Sequence, residues 1–464
     1  MTVAKFGGTS VATADAIRRL VRIVHQRRDV RVVVVSALGG VTDLLVAMAD
    51  AAEAGRVQEA RESAERIRER HRRLAEDLGL PAGAANNIEQ VAIGLDRRLD
   101  ALAERRDGRL RRRDEVLAVG ELLSSRIVAS AFGDASGGAD WVDARRVMVT
   151  DADHTRAQPL MAETRDCLRV RVAPLVAEGR IVVLGGFIGA TIDGATTTLG
   201  RGGSDYSAAI VGAGLGASTI DIWTDVDGML TADPRVVAGA RLVPNLSFAE
   251  ASELAYFGAK VLHPSTILPA MAQGIPVRIL NSRRPEQPGT RITAAAPAGA
   301  GPLRALACKR EISVVHITST RMLMAHGFLR RVFEVFDHHG TVVDVVTTSE
   351  VSVSVTVDDA RAIDAIVAEL RPFADVTTDA GMALICAVGE QLREQHHLCA
   401  EVLDGLGGLP VRMVSQSASR QNLTIVVGGA DLTTAMTRLH DRFFPPVAVG
   451  GAAAPAGAIA GCGV

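Results

Sequence analysis

Short apolar runs alternate with longer amphipathic stretches along the first two-thirds of the chain. The runs at 31–36, 181–184 and 220–224 are rich in β-branched residues and lack polar alternation, which predicts strands buried on both faces. The stretches at about 11–26 and 44–78 carry apolar positions at helical spacing. Strands that alternate with helices in this way predict a largely parallel α/β sheet covered on both faces.

The pattern changes after the segment AAAPAGAGP, where no periodicity survives. Shorter elements then follow in the order β-α-β-β-α, and this order occurs twice, which predicts two ferredoxin-like βαββαβ modules. The predicted elements are 312–317, 327–338, 342–347, 351–357 and 360–370, then 382–388, 398–406, 411–416, 423–427 and 432–443. A strand near 303–307 is expected to pair with the second module, so that the two modules interleave in sequence.

These changes in pattern predict the division of the chain. We expect a catalytic α/β domain over 1–293, a linker over 294–302, a first module over 303–380 and a second over 381–446. The Ala/Gly-rich segment 447–464 has a composition that does not build a core, and we expect it to be disordered.

Composition narrows the class of protein. The 464 residues include 51 basic and 53 acidic ones, and this balance disfavours nucleic acid or an anionic membrane as a partner. The five cysteines form no C-x-x-C pair, and no H-x-x-x-H occurs, so no protein-bound metal is expected. Reduced thiols, short apolar runs and the absence of a signal pattern at the first residues favour a cytoplasmic metabolic protein.

Glycine-rich turns that follow predicted strands are the candidate chemistry. The P-loop pattern G-x-x-x-x-G-K-[ST] is absent. The turn at 5–10, KFGGTS, places backbone N–H groups where an anion can bind, with Lys5 as a cation beside it. The turn at 200–205, GRGGSD, adds a guanidinium and a carboxylate. For the turn at 5–10 an alternative interpretation stays open, namely a purely structural tight turn that carries a surface lysine.

Two further segments lie after predicted elements. WTDVDG at 223–228, continuing to ADPR at 232–235, follows a strand at the edge where open α/β sheets bind ligands. FGAKVLHP lies at 257–264. The sequence SFAE at 247–250 just upstream is a capping box, and we interpret it as structural.

Taken together with 36–42 and 120–122, these motifs resemble the aspartate kinases of the amino-acid-kinase family, almost over the whole chain. The two modules resemble the ACT regulatory domains of the same enzymes. The segments at 327–329 and 343–351 are similar to those of the lysine-sensitive, single-function branch.

The resemblance implies transfer of the γ-phosphoryl group of ATP to the β-carboxylate of L-aspartate, the first step toward lysine, threonine and methionine. A carboxylate is already a nucleophile at neutral pH, so catalysis reduces to positioning and charge neutralisation. The resemblance makes Lys5 and Asp205 the catalytic residues. It implies that Thr42, Glu121, Arg201 and Ser204 bind aspartate.

For the nucleotide, the resemblance implies ATP with Mg²⁺ and no organic prosthetic group. The implied ATP-binding residues are Lys5, Gly7, Gly8, Ser10, Thr224, Asp225, Leu230, Arg235 and Lys260. Leu230 departs from the family, whose members commonly carry an aromatic residue there. Because leucine offers adenine only apolar contact, this departure concerns nucleotide affinity and not the transfer chemistry.

For regulation, the resemblance implies feedback by L-lysine at the first module. The implied lysine-binding residues are Met322, Gly327, Leu329, Val343, Asp344, Ser349 and Glu350. ACT modules generally pair across subunits, which buries strand edges, so we expect at least a homodimer. Modules that only dimerise the chain remain an open alternative.

Three other functions are weighed against this one. A kinase of the same fold acting on another amino-acid carboxylate stays open, although Glu121 favours a free α-amino group. A catalytically silent amino-acid sensor is disfavoured because Lys5, Arg201, Asp205 and Lys260 occur together. A fused homoserine dehydrogenase is disfavoured because no G-x-G-x-x-G follows residue 444.

Overall fold

The structure is a computed structural model that describes residues 1–104, 107–133, 138–258, 262, 264–297, 301, 303–319, 326–416 and 421–445. The strands of the catalytic part are β1 (Thr2–Phe6), β2 (Val30–Val35), β3 (Ala139–Trp141), β4 (Ile181–Gly185), β5 (Ile188–Ala190), β6 (Thr196–Thr198), β7 (Thr219–Thr224), β8 (Asn245–Ser247), β9 (Val277–Asn281) and β10 (Thr290–Thr293). Its helices are α1 (Ala14–Gln26), α2 (Val41–Glu53), α3 (Val57–Leu78), α4 (Ala82–Glu104), α5 (Arg109–Leu117), α6 (Val119–Ala131), α7 (Met161–Arg171), α8 (Ala173–Ala177), α9 (Gly203–Leu215), α10 (Phe248–Tyr256) and α11 (Leu268–Ala272).

A large mixed sheet forms the centre of this part. Its 8 strands lie in the order β3-β4-β2-β1-β7-β9-β10-β8. Every neighbouring pair is parallel except β9 and β10. Strands β5 and β6 form a separate antiparallel pair. The predicted, largely parallel α/β sheet is therefore confirmed.

Strand β2 shows why the sheet needs helices on both faces. Val32 and Val34 pack into the hydrophobic core on one face, and Val33 and Val35 pack into the core on the other. All four side chains are fully buried. Successive side chains of a strand point to opposite faces, so an uninterrupted valine run is buried only in a sheet with two covered faces.

Two predicted helices have different limits in the structure. The helix predicted at 11–26 begins at Ala14, because the Thr13 side chain caps it by accepting a hydrogen bond from Ala16 N, and residues 8–10 form a separate 3₁₀ turn. The predicted helical stretch 44–78 is broken near Gly55, whose φ is 77°. Glycine adopts this left-handed conformation without the steric cost that other residues meet.

The elements after residue 303 build a second sheet. The strands are β11 (Ala305–Thr318), β12 (Val346–Thr348), β13 (Ser352–Val357), β14 (Asp375–Val388), β15 (Val411–Gln416) and β16 (Asn422–Gly428). The helices are α12 (Phe328–His338), α13 (Ile363–Leu370), α14 (Leu398–Gly405) and α15 (Leu432–Phe443). This antiparallel sheet has 6 strands in the order β12-β13-β11-β14-β16-β15.

The long strands β11 and β14 each belong to both modules. The second half of β11 pairs with β13 and with the first half of β14, which gives the first βαββαβ module. Residues 305–309 pair with 384–388 and supply the fourth strand of the second module. The expected interleaving is thus present, and the two modules share one continuous sheet.

One strand of the first module differs from the prediction. The sequence predicts a strand at 342–347, whereas β12 covers Val346–Thr348 alone. Thr356 Oγ1 accepts the hydrogen bond from Val345 N at 2.9 Å. In a regular β-ladder a backbone carbonyl group would accept this hydrogen bond, so the pairing is irregular here. The predicted tail at 447–464 and part of the predicted linker lie outside the described residues.

The catalytic part and the second module share a hydrophobic core. Ala232, Val236 and Val237 from the catalytic part pack in one cluster with side chains of β11, β14 and α15. Nearby, a buried ion pair joins Arg304 Nε to Glu250 Oε1 at 3.1 Å. The second module is therefore packed against the segment that follows β7.

Candidate functional site

The carboxyl ends of β1, β2, β4 and β7 meet at one edge of the large sheet. Backbone hydrogen bonds join the turns that leave these strands: Gly7 N to Trp223 O (3.0 Å), Ser36 N to Phe6 O (3.1 Å), Gly186 N to Val35 O (2.8 Å) and Gly39 N to Gly8 O (3.0 Å). Parallel strands leave their connecting turns at the same edge, which is where ligands bind in open α/β sheets. The predicted motifs at 5–10, 36–42, 200–205 and 223–228 are brought together here, whereas residues 259–261 and 263 of the motif at 257–264 lie outside the described residues.

An ion pair of Lys5 and Asp205 lies at the centre of this edge. Lys5, near the end of β1, is 8% exposed, and its Nζ lies 2.6 Å from Asp205 Oδ1 without the alignment of a hydrogen bond. Asp205 is in the first turn of α9, after Gly202, whose φ is 73°. The pair thus places one cation and one helix amino terminus side by side, an arrangement suited to phosphate.

The glycines after β1 are needed for close approach. A Cβ on Gly8 would lie 3.0 Å from Ala37 O and 3.2 Å from Gly39 Cα, so a side chain there would push the two turns apart. A Cβ on Gly7 would lie 3.6 Å from Lys5 Nζ. Small residues therefore keep the surface around the lysine free for a ligand.

Ser10 does not offer a free hydroxyl. Its side chain is buried, and its Oγ lies 2.7 Å from Ser282 Oγ. Ser282 N and Oγ both donate to Thr224 O, at 2.8 and 3.1 Å. This chain of hydrogen bonds links the turns after β1, β7 and β9.

Glu121 has an unusual environment in α6. Its side chain is buried, and Oε1 accepts a hydrogen bond from Ala37 N at 3.0 Å. Within the described part of the chain, Oε2 has no hydrogen-bond partner. Burial raises the pKa of Glu121 to about 8. A buried carboxylate oxygen without a partner is costly, and a cationic ligand group would remove that cost.

Ser204 and Arg201 belong to the segment that enters α9, close to the end of β4. A Cβ on Gly186, which follows β4, would lie 2.7 Å from Ser204 Cβ, so β4 and α9 meet closely here. Arg201 is exposed between two glycines with left-handed backbones, Gly200 (φ 76°) and Gly202 (φ 73°). Among the described residues, Arg201 has no ion-pair partner.

Thr42 lies in the first turn of α2 and is half-buried. The helix starts after Gly40, whose φ is 80°. This turn follows the segment that contains Ala37, the residue bonded to Glu121. Thr42, Glu121, Ser204 and Arg201 therefore belong to segments that meet at the ends of β2 and β4.

The nucleotide residues predicted after β7 are more open. Thr224 is half-buried and Asp225 is exposed. Leu230 is half-buried and forms an isolated backbone bridge with Leu242. Arg235 is exposed and paired within its own turn, with Nη2 2.7 Å from Asp233 Oδ2. Lys260 lies outside the described residues.

Sequence reasoning missed the polar cluster after β9. Asn281 Nδ2 donates to Asp227 Oδ1 at 2.7 Å, and Arg284 Nη2 lies 2.6 Å from Asp227 Oδ2. Together with Ser282 these residues extend the site toward the end of β9. Their signal in the sequence is a polar segment directly after an apolar strand, at the same edge as the other motifs.

The predicted lysine site lies at the start of the first module, and the structure shows several of its residues already paired. Asp344 Oδ1 and Oδ2 both lie 2.9 Å from Lys309 Nζ, and Tyr256 of α10 donates to Oδ1 at 3.1 Å. Ser349 Oγ lies 2.7 Å from Ser352 Oγ. The carboxylate expected to bind an ammonium group thus holds the ammonium of Lys309.

The remaining predicted lysine-site residues are more accessible. Gly327 has a φ of 83° and directly precedes α12. Leu329 and Glu350 are exposed, and Val343 is half-buried. Met322 lies outside the described residues.

The adjacent histidines at 338 and 339 meet at one carboxylate. Both rings contact Glu369, with His338 Nδ1 at 3.1 Å and His339 Nε2 at 2.9 Å from Oε2. Residue 339 directly follows the last residue of α12, so its ring is not held to the helical spacing.

Among the described residues no helix is both long and apolar enough to cross a membrane.

Fold and site together define the class. Residues 1–281 match the model of the Amino acid kinase family, and residues 385–443 match an ACT domain. The ACT match falls on the second module. An α/β domain of this class with a lysine at the carboxyl edge of its sheet, followed by ACT modules, is typical of a regulated small-molecule kinase.

Similarity to individual proteins extends over nearly the whole chain. The lysine-sensitive aspartokinase 3 of Escherichia coli (strain K12) is 38% identical over 96% of this chain and 99% of its own length. The chloroplastic aspartokinase 3 of Arabidopsis thaliana is 36% identical over 95% of this chain and 81% of its own length. The chain therefore belongs to the aspartokinases of the amino acid kinase family, which are ATP-dependent aspartate kinases.

Solved structures agree with this family. E. coli aspartokinase III in complex with lysine and aspartate (T-state) superposes with a TM-score of 0.84 and 37% identity, covering 96% of this chain and 99% of that one. The same enzyme with aspartate and ADP (R-state) gives a TM-score of 0.81 and 37% identity, covering 96% and 100%. The fold with its ACT modules is therefore that of an aspartokinase.

Proposed function

We propose that this chain transfers the γ-phosphoryl group of ATP to the β-carboxylate of L-aspartate at the site between β1, β4 and α9. The observation that carries this proposal is Oε2 of Glu121, which is buried without a hydrogen-bond partner among the described residues, close to the edge where Lys5 lies. An α-ammonium group would complete that carboxylate. A substrate whose own carboxylate attacks needs no general base.

In the transfer step a new P–O bond forms to the aspartate β-carboxylate while the bond from the γ-phosphorus to the bridging oxygen breaks, and ADP leaves. Lys5 Nζ neutralises charge on the moving group, because a fixed cation acts most strongly where charge develops. Asp205 holds that lysine in place. Gly7 and Gly8 leave room for the phosphates, and Ser10 supports their turn through Ser282.

Aspartate is held at three points. Glu121 binds its α-ammonium group, Arg201 binds its α-carboxylate in the bidentate manner that a guanidinium favours, and Ser204 and Thr42 line the pocket. An N-acetylated acid would leave Glu121 without a partner, so it is the weaker candidate substrate. The intact Lys5–Asp205 pair favours an active kinase over a silent sensor.

ATP binds along the ends of β7 and β9. Thr224, Asp225, Arg235 and Lys260 contact the nucleotide, and Leu230 gives adenine an apolar surface. We assign Mg²⁺ to the phosphates of ATP, since this ion prefers phosphate and water oxygens and takes few protein ligands. Asp205, an oxygen donor at the phosphate edge, fits such an ion. The ADP-bound E. coli aspartokinase III supports nucleotide binding in this fold.

L-lysine acts at the first module as a feedback inhibitor. Asp344 and Glu350 bind its ammonium groups, the backbone near Gly327 binds its carboxylate, and Met322, Leu329, Val343 and Ser349 surround its chain. Asp344 already forms an ion pair with Lys309 Nζ. An ammonium group of the effector therefore takes the place of the Lys309 ammonium group. The lysine-bound E. coli relative supports this effector.

The proposal also divides the chain into domains with limits at 293, 303, 381 and 446. The ACT modules join two chains into a homodimer. The second sheet ends at β12 and β15, and pairing across subunits buries strand edges.

The test is ATP-dependent acyl phosphate formation, trapped as the hydroxamate, with L-aspartate and with N-acetyl-L-aspartate, each with and without L-lysine or L-threonine. We expect activity on L-aspartate that lysine alone abolishes. Activity on the acetylated acid alone would overturn the assigned substrate. Activity on aspartate that no effector changes would keep the kinase and leave the modules as dimer contacts.

A further inference from the structure

A buried carboxylate outside the proposed pocket holds the segment that leads to Arg201. We propose that Asp114 of α5 is a positioning residue for aspartate binding, because it fixes a turn at 154–157 against the end of β6 and so sets the place of the Gly200–Gly202 loop. This inference rests on the proposed function, in which Arg201 binds the α-carboxylate of aspartate.

Asp114 joins three separate segments. Its side chain is fully buried. Oδ1 accepts a hydrogen bond from Thr198 Oγ1 at 2.6 Å, and Oδ2 accepts one from His154 Nδ1 at 2.8 Å. Thr155 N donates to both oxygens, at 3.2 and 3.0 Å. Burial raises the pKa of Asp114, and these hydrogen bonds, which favour the charged form, act against that rise.

The turn that Asp114 holds is strained. Thr155 has a φ of 74°, a left-handed conformation that is rare for a β-branched residue. Such backbone strain persists only where surrounding contacts impose it, and it concentrates near functional sites. Thr155 N donates to both carboxylate oxygens, so Asp114 imposes it here.

The strained turn touches the loop that carries Arg201. A Cβ on Gly200 would lie 3.3 Å from Thr155 O, so the two backbones are in close contact. Ala157 N also donates to Thr198 O at 2.9 Å, which ties the turn to β6. Gly200 and Gly202 have no side chains to anchor the loop themselves, and this contact therefore sets its position.

Arg201 depends on its backbone for orientation. Its side chain is exposed and has no ion-pair partner among the described residues. A long side chain without such a partner follows its Cα, and a displacement of about 1 Å at a binding group can cost up to about 100-fold in rate. Among the described residues, Asp114 makes no hydrogen bond or ion pair with the predicted nucleotide residues. Its loss should therefore act on aspartate and not on ATP.

The experiment compares Asp114→Asn with the matched control Asp153→Asn. Asparagine keeps the size of the side chain, but its NH₂ group cannot accept the hydrogen bonds that Oδ2 accepts. Asp153 directly precedes the same turn, and its side chain makes an exposed ion pair with Arg156 at 3.0 Å. We measure KM for aspartate, KM for ATP and amide hydrogen exchange over residues 196–205.

For Asp114→Asn we expect KM for aspartate to rise about 10-fold, KM for ATP to change less than about twofold, and exchange over 196–205 to become faster, in line with the loss of charge-assisted hydrogen bonds. The Asp153 variant should match the wild type in all three. Thr198→Val removes one hydrogen bond and keeps the carboxylate, so it should act in the same direction with a smaller effect even if the Asp114 variant fails to fold.

A lower melting temperature with both KM values unchanged would make Asp114 purely structural and overturn the proposal. An equal rise in both KM values would do the same. If the wild type does not phosphorylate aspartate, the proposed function fails, and hydrogen exchange alone decides the positioning role. Unchanged exchange over 196–205 in the Asp114 and Thr198 variants would then overturn it.

Discussion

At the scale of single residues, the site combines a cation held in an ion pair with a carboxyl group, one oxygen of which has no hydrogen-bond partner among the described residues. Lys5 is held by Asp205 at 2.6 Å, and Glu121 keeps Oε2 without a partner among the described residues. The first arrangement fixes a positive charge before substrate arrives. The second leaves a carboxylate to be completed by the substrate.

Lys5→Ala should lower kcat by about 100- to 1000-fold, because a fixed donor that acts on transition-state charge typically contributes that much. KM for aspartate should change little, since the proposed aspartate contacts lie elsewhere. Steady-state kinetics, with circular dichroism to check folding, measures both. Turnover equal to that of the wild type would remove Lys5 from the mechanism.

Aspartate binding should release a proton. Burial raises the pKa of Glu121 to about 8, so the empty pocket holds a neutral acid at pH 7, and a bound ammonium group lowers that pKa again. KM for aspartate should therefore fall as pH rises from 6 to 8. The free energy of unfolding of the empty protein should also fall as pH rises from 6 to 8, because in this range the folded state keeps the proton and the unfolded state does not.

Calorimetry of aspartate binding in buffers with different ionisation enthalpies measures the released proton directly. Glu121→Gln should abolish the release and weaken aspartate binding. If the release is the same in that variant, the proton comes from another group, and Glu121 is not the ammonium partner.

At the scale of elements, the segment after β7 is shared between the two parts of the chain. Thr231 Oγ1 lies 2.9 Å from His440 Nε2 of α15, and Leu306 N of β11 donates to Thr231 O at 2.8 Å. The same segment continues to Arg235, a proposed nucleotide residue. Movement of the second module should therefore change the binding of ATP more than the binding of aspartate.

His440→Ala should raise KM for ATP about fivefold and leave KM for aspartate nearly unchanged, because it removes a buried hydrogen bond to the segment that precedes Arg235. His338→Ala, at an exposed histidine of the first module, is the matched control and should leave both constants as they are. Kinetics with each substrate varied in turn separates the two effects. Equal changes in both KM values for His440→Ala would contradict this coupling.

At the scale of the whole molecule, the first module and the catalytic part meet at one polar cluster. Tyr256 of α10 and Lys309 of β11 both contact Asp344. Lys309 Nζ also lies 4.9 Å from the centroid of the Tyr256 ring. An effector that replaces Lys309 at Asp344 would therefore alter a contact between the regulatory and catalytic parts.

Glu350→Lys should weaken inhibition by L-lysine at least about 10-fold, because the effector meets a cation in place of an anion. Glu334→Lys makes the same charge change at an exposed position of α12 and should leave inhibition unaltered. The inhibition curve of each variant, scaled to its own rate without lysine, measures the effect. Equal inhibition in the Glu350 variant and the wild type would place the effector elsewhere.

Part of this architecture follows from local patterns. The uninterrupted run at 31–36 predicts a strand with two covered faces, and the turn at 200–205 predicts an anion site, because each depends on neighbouring residues alone. The β-α-β-β-α order predicts the paired modules for the same reason. Element limits were less well predicted, as at 342–347, where a threonine side chain replaces part of the ladder.

The sequence by itself thus determined the fold class, the order of the modules and the glycine-rich turns, since these depend on periodicity and local backbone conformation. Only the tertiary structure decided which distant side chains meet. It brought Thr198 to Asp114, 84 positions away, paired Lys309 with Asp344, and joined His338 and His339 to Glu369. Such contacts depend on how whole elements pack, and no local spacing encodes that packing.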